Sequence, residues 1–308
     1  MVEGWLPQGE RILLTGASGQ VGGELLKLLE ARGEVVAPER EAMDLADAES
    51  VRKTIRAVRP RWIVNCGAYT AVDKAESEPE LAYAINAEAV KAIGEEAREI
   101  SAGVIHFSTD YVFDGLKSSP YVETDSTKPM GVYGEGKLAG ENALAESGAG
   151  HLIFRTSWVY GATGKNFLLT ILKLAREREV LRVVADQHGA PTWSRDLARM
   201  TAAVIGRCEA MAEDREPADV LVEVGGVYHA AGGGETTWHG FAAEAVRLRQ
   251  EAEPGVRLAE IQAITTAEYP TPAKRPANSR LNCGLLAKHF GWTMMDWKDS
   301  LREVLAEL

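Results

Sequence analysis

The chain has 308 residues, a mass of 33.4 kDa and a formal net charge of −11, with a pI near 5.2. That length supports one large α/β domain with a smaller lobe, and the acidic balance argues against a nucleic-acid surface, which shows a basic stripe. Cys66, Cys208 and Cys283 are widely spaced without a C-x-x-C pair, no run of 18 apolar residues occurs, and Met1 to Glu10 lacks both a basic stretch and an apolar core; a disulfide framework, a zinc site, a leader and a membrane span are therefore not expected, and a reducing cytoplasm fits.

Short Val- and Ile-rich runs alternate with stretches of helical period, the pattern of repeated βα units on a parallel sheet. The first strand is predicted at Arg11–Thr15. It runs into Gly16-Ala17-Ser18-Gly19-Gln20-Val21-Gly22, and a helix starts near Gln20 with Leu25, Leu26, Leu28 and Leu29 as its buried stripe and Gly33 at its C-terminus. Glycines here permit a tight bend and close backbone approach to a dinucleotide, while the helix N-terminus faces the pyrophosphate. The second strand, Val35–Ala37, leads to Glu39 and Arg40. Glu39 suits the ribose hydroxyls of NAD and Arg40 suits a 2′-phosphate; solvated loop charges account for both equally, and the reading leans to NADPH with NADH tolerated.

Further strands are predicted at Trp62–Asn65, Val104–Ser108, Leu152–Thr156 and Val227–Ala230. Thr109 follows the fourth, at the carboxyl edge where open α/β sheets build a ligand crevice, and its hydroxyl can donate to a carbonyl oxygen or satisfy nearby backbone. In Tyr133-Gly134-Glu135-Gly136-Lys137 the phenol and the ammonium share one helix face, about one turn apart. A neighbouring cation brings a phenol closer to the working pH, which reducing a ketone requires. After about residue 160 the pattern loosens at Pro191, Glu209–Asp219, Gly232-Gly233-Gly234 and Tyr269–Pro276. We therefore expect residues 1–160 to form an NAD(P)-binding Rossmann domain to which 195–232 return, and 161–194 with 233–308 to form a substrate lobe. The run Glu209–Glu216 reads as a solvated helix end and loop in preference to a partner surface.

The G-x-x-G-x-x-G spacing resembles the short-chain dehydrogenase/reductase superfamily. From Arg11 onward the chain is similar to its dTDP-4-dehydrorhamnose reductase family in Gly16–Gly22, Met43–Leu45, Asn65–Asp73, Phe107–Gly115, Tyr133–Lys137, Arg155–Gly161, Asp186–Thr192 and Arg275–Leu281. The resemblance implies a Rossmann-type doubly wound parallel sheet with an interleaved C-terminal lobe. It implies reduction of the 4-keto group of dTDP-4-dehydro-L-rhamnose to dTDP-L-rhamnose by NADPH or NADH. Tyr133 would protonate the C4 alkoxide, Lys137 would hold the nicotinamide ribose and depress the tyrosine pKa, and Thr109 would hydrogen-bond the same oxygen.

The same resemblance implies cofactor contacts at Gly16, Ser18, Gly19, Gln20, Val21, Gly22, Arg40, Asp44, Leu45, Ala68, Tyr69 and Thr70, besides Tyr133 and Lys137. Val72, Asp110, Tyr111 and Trp158 match positions around the sugar, although Trp158 also reads as plain core. Arg275, Asn278 and Arg280 match the nucleotide-sugar side, where two arginines suit a diphosphate or form surface salt bridges. Asn86 matches an asparagine that ties its helix to the active-site strand, or is a helix cap. Two positions depart from the family: Gly136 replaces a serine and Gly131 an asparagine, and glycine in a helix costs up to about 1 kcal/mol against alanine. Relatives carry magnesium at a dimer contact near Glu24 and Asp196; a non-catalytic ion and a homodimer stay open, with no catalytic metal. A 4,6-dehydratase needs a further acid directly after Thr109-Asp110, where Tyr111 stands. Another nucleotide-sugar 4-keto reductase, a 4-epimerase and a non-catalytic subunit resembling the β subunit of methionine adenosyltransferase are the alternatives.

Overall fold

Six short strands with near-continuous apolar runs build the centre of the molecule in this computed structural model, which describes residues 10–308. Residues 1–9, on which most of the leader reading falls, lie outside the described residues. The strands are β1 (Arg11–Thr15), β2 (Glu34–Val36), β3 (Trp62–Asn65), β4 (Gly103–Thr109), β5 (His151–Thr156) and β6 (Gly226–His229), all parallel in the order β6-β5-β4-β3-β1-β2. Burial on both faces explains why Ile12-Leu13-Leu14 and Trp62-Ile63-Val64 show no polar alternation.

Alternate residues of each strand serve opposite layers. Ile12, Leu14, Val64 and Ile105 pack on Leu25 and Leu29 of α1 (Gln20–Glu30), with Leu26 and Leu28 half-buried beside them. Leu13, Ile63, Val104 and Ile153 face Val51 and Ile55 of α2 (Ala48–Val58), Val90 and Ile93 of α3 (Ala89–Glu99) and Leu144 of α4 (Val132–Glu146). The fold is thus a doubly wound α/β sandwich. Because β1 lies between β2 and β3, chain direction across the sheet reverses there, and the crevice opens above the carboxyl ends of β1, β3 and β4.

A second body of structure contains α5 (Phe167–Glu177), the parallel pair Val180–Val184 with Glu260–Ile264, and further helices including α7 (Trp238–Ala252) and α8 (Trp297–Ala306). Tyr160, Trp193, Phe241 and Trp297 form its aromatic core, with Leu301 packed among them. The intervening α6 (Ser194–Ala212) packs on the main sheet's α1 side, as do Leu286 and Phe290 of the helix Gly284–Phe290.

One expectation fails in this region. Glu209 is not solvated: its buried carboxylate holds Arg61 Nε at 3.0 Å and accepts from Trp62 Nε1 at 2.5 Å, while Arg61 Nη1 reaches Glu216 at 2.8 Å. A single inward-facing cation beside β3 recruits two acids from what reads as a surface run. Among the described residues, no helix is long and apolar enough to cross a membrane.

Candidate active site

Backbone contact, rather than side-chain choice, shapes the turn after β1. Gly16 has φ +67°, and a Cβ there would lie 2.6 Å from the Gly67 nitrogen; a Cβ on Gly22 would lie 2.2 Å from the Gly16 oxygen. Only glycine fits either position. Gly19 caps α1 without a side-chain bond, so no cap side chain covers the amides of its first turn. Two cavities of about 710 and 560 Å³ share Gly16, Ser18, Gly67 and Ala68 and so form one cleft. Arg40, Asp44 and Leu45 line the first, and Arg40 stands at its rim, largely exposed, with Nε 3.5 Å from Asp44. Gly19, Gln20, Val21, Gly22, Thr70, Val72, Thr109, Asp110, Tyr111, Tyr133, Lys137 and Trp158 line the second.

Thr109 ends β4, and α4 brings Tyr133 beside it. The Thr109 hydroxyl accepts from the Tyr111 N–H and donates to Asp110 Oδ1, both at 3.2 Å. Burial pushes the Tyr133 phenol up to about 12; the Thr109 hydroxyl pulls it back and Asp110 adds to the rise. Tyr111 meets the same ring edge-on at 5.4 Å. Burial also pushes Asp110 up to about 6, against the hydroxyls of Ser279 and Thr109, and its Oδ2 has no partner among the described residues.

Lys137 shares the helix face of Tyr133, but its ammonium is drawn to the strand edge. Nζ donates to the Phe107 carbonyl at 2.6 Å and lies 3.1 Å from His106 Nε2. Burial lowers its pKa to about 8, opposed by Glu141 and Cys66. The influences on the phenol are burial, which raises it, the neighbouring Thr109 hydroxyl, which lowers it, and Asp110, which raises it; Lys137 is not among them. Beneath these groups, Glu141 receives Arg155 Nε at 2.9 Å, Arg155 Nη2 at 2.5 Å and the Ser108 hydroxyl, which fastens α4 to β4 and β5.

Four expected contacts lie elsewhere. The Tyr69 phenol turns to Glu78 at 2.7 Å, while Asn86 holds the Tyr69 backbone N–H and C=O at 2.9 and 3.0 Å, so Asn86 fastens the cleft loop rather than capping a helix. Arg275 forms a fork with Asp73 at 3.1 and 2.7 Å. Arg280 is engaged by Glu235, Asn278 Oδ1 and the Ser118 carbonyl, and the buried Asn278 donates to the carbonyls of Lys117 and Ser119. None of the three lines the cleft, because acidic partners and backbone carbonyls within the fold take their donors. The block 275–281 reaches the site through Ser279 instead, and a serine offers no signal in sequence. Lys165, also missed, lines the cleft from the loop before α5. Trp158 does line it, held at φ +49° and stacked on Trp238 with ring centres 3.7 Å apart.

This arrangement has close relatives. Residues 10–308 match the family model described as RmlD substrate binding domain. The chain is 46% identical to dTDP-4-dehydrorhamnose reductase of Shigella flexneri, covering 96% of this chain and 97% of that one. It belongs to the dTDP-4-dehydrorhamnose reductase family. A dTDP-4-dehydrorhamnose reductase structure from Clostridium acetobutylicum superposes with a TM-score of 0.86 at 36% identity, covering 96% of this chain and 99% of that one. Another from Bacillus anthracis, solved in complex with NADP, gives 0.85 at 31%, covering 97% and 99%.

Of the two departures from the dTDP-4-dehydrorhamnose reductase pattern, Gly131 has a local explanation and Gly136 has none. A Cβ on Gly136 would meet only ordinary contacts, the nearest at 3.6 Å from Asn86 Cβ, so this glycine is not forced by packing. At Gly131 a Cβ would meet Glu76 Oε1, and that oxygen accepts from the Val132 N–H at 3.0 Å, serving the start of α4 in place of a cap side chain. The two carboxylates weighed for a metal ion are engaged within the fold: Glu24 with Arg195 and Lys27, Asp196 with the Met295 N–H. Among the described residues no three metal-ligating side chains converge.

Proposed function

We infer that the chain is an NAD(P)H-dependent oxidoreductase that reduces the C4 keto group of dTDP-4-dehydro-L-rhamnose to dTDP-L-rhamnose. One observation carries the reading in this molecule: the Thr109 and Tyr133 hydroxyls lie together at the carboxyl edge of β4, on a cleft continuous with the glycine turn. The turn fits a dinucleotide, since Gly16 and Gly22 let the backbone close tightly on itself and Gly19 leaves the first amides of α1 without a capping side chain. A bound nicotinamide supplies the hydride.

The protein's part is to hold and move a proton. A phenol kept near 12 stays protonated at working pH, yet it is a stronger acid than the C4 alcohol, so its proton passes to the C4 oxygen as negative charge develops there. Thr109 donates to the same oxygen. Lys137, anchored on the Phe107 carbonyl, lines the cleft where the nicotinamide ribose would lie. Arg40 at the rim favours a 2′-phosphate and hence NADPH, with Glu39 on the same cavity wall leaving NADH usable. Val72, Asp110, Tyr111 and Trp158 surround the space left for the sugar. Arg275 joins the diphosphate only by exchanging Asp73. Three free cysteines accord with a cytoplasmic setting.

The test is spectrophotometric: NADPH or NADH oxidation with dTDP-4-dehydro-L-rhamnose, beside a UDP-linked analogue. The reading expects oxidation with the dTDP sugar, faster with NADPH. No oxidation with either cofactor refutes it.

A further inference from the structure

A run of buried polar side chains crosses three strands and ends on Lys137. The Gly67 N–H donates to Thr15 Oγ1 at 3.1 Å, the Thr15 hydroxyl donates to Asn65 Oδ1 at 2.6 Å, and the Asn65 amide nitrogen lies 3.0 Å from His106 Nδ1. His106 Nε2 lies 3.1 Å from Lys137 Nζ. Strand register creates the run: Thr15 is paired with Asn65 across β1 and β3, and Asn65 with His106 across β3 and β4. All four side chains are buried, so each depends on the next for its hydrogen bonds.

Donor and acceptor counting gives the run a direction. With Oδ1 occupied by Thr15, Asn65 turns its N–H toward Nδ1, which must accept. Burial, with Lys137 and His151 nearby, keeps His106 well below its ordinary pKa and therefore neutral. A neutral imidazole carries one N–H, so that hydrogen is on Nε2, aimed at Nζ. An amine at Nζ accepts it and still donates to Phe107. An ammonium has no lone pair and sets N–H against N–H.

We propose that Thr15, Asn65 and His106 form a tautomer lock that acts through Lys137, favouring its uncharged form so that this lysine exchanges a proton with solvent within the working pH range. Asn65 and His106 are positioning residues. Their bearing on turnover rests on the reductase reading; the lock itself does not. Glu141 of α4 and Cys66 after β3 act on Lys137, while Lys137 itself and His151 of β5 act on His106. Glu141 is the main group favouring the ammonium, and Arg155 already neutralises it.

The lysine can be followed directly by ¹³C NMR of protein labelled at lysine Cε, with Lys137→Met identifying its signal. Thr15→Val, uncharged and nearly isosteric, removes the hydroxyl that orients the amide. Asn65→Asp replaces the N–H by an acceptor, moves the imidazole proton to Nδ1 and leaves Nε2 to accept from an ammonium. Both are expected to raise the Lys137 midpoint from about 8 by at least about one pH unit, and the limb of the kcat profile that follows Lys137 should move with it. An unchanged midpoint in both variants overturns the lock. A shift in Asn65→Asp alone reduces the effect to added charge and overturns it equally. Should Asn65→Asp fail to fold, Thr15→Val decides by itself. Because the midpoint is read without substrate, failure of the reductase assay mimics none of these results.

Discussion

Replacing Glu141 by Gln should cost this fold much of its stability. Glu141 and Arg155 have side-chain exposures of 4% and 5%, and Arg155 contacts both carboxylate oxygens. Without the carboxylate, the Arg155 guanidinium is left buried and uncompensated between β5 and the Phe113 ring, with Nη1 already lacking a partner. Breaking one side of such a pair costs roughly 3–5 kcal/mol, a large part of the 5–15 kcal/mol that typically separates folded from unfolded protein. Urea unfolding at pH 7 measures the loss. The double variant Glu141→Met with Arg155→Leu serves as control: it should recover most of the difference, because two apolar side chains remove both buried charges at once. A loss below about 1 kcal/mol in Glu141→Gln, or a double variant no better than the single, would refute the claim that this pair is an internal clamp.

Tyr133→Phe should lower kcat at least about a hundredfold with cofactor affinity nearly intact, since the ring stays and the proton donor goes; steady-state kinetics with near-parental turnover would rule it out as the donor. Arg40→Ala should raise the KM for NADPH more than that for NADH, and equal effects would make Arg40 an ordinary loop charge. The third expectation concerns pH. Asp110 titrates near 6 folded against 3.8 ordinarily, so between these values the native state keeps a proton that the unfolded chain releases, and stability falls as pH rises through that window. In Asp110→Asn this contribution, about 3 kcal/mol at most, should vanish from the difference between denaturation curves at pH 4 and pH 7; an unaltered difference would contradict the raised value.

The sheet was legible because parallel strands buried on both faces must be written as apolar runs, and Arg11–Thr15 and Trp62–Asn65 stand where the pattern puts them. The cleft was legible where backbone geometry leaves no choice of residue, as at Gly16 and Gly22. Long cations were harder. Sequence gives the charge of Arg275, Arg280 and Lys137 but not the direction of several rotatable bonds, and partners distant in the chain, Asp73, Glu235 and the Phe107 carbonyl, decide it. Glu209 was misread for the same reason. Ser279, Asn65 and His106 were missed because a small hydroxyl or a polar residue within a strand acquires meaning only when neighbouring strands set the register.

The chain from Ser157 to Gly225 passes out of the sheet before β6 returns to pair with β5. Until that return, β5 is a bare edge with a row of unpaired amides and carbonyls, beside an exposed Phe154 that Tyr228 later covers. During synthesis, the first five strands therefore emerge well before the strand that seals them. Such long-range parallel closure is slow and leaves the half-made sheet open to pairing with another chain. Fragments ending before His229 should collect as aggregates, whereas cuts in loops after the sheet is sealed should be borne.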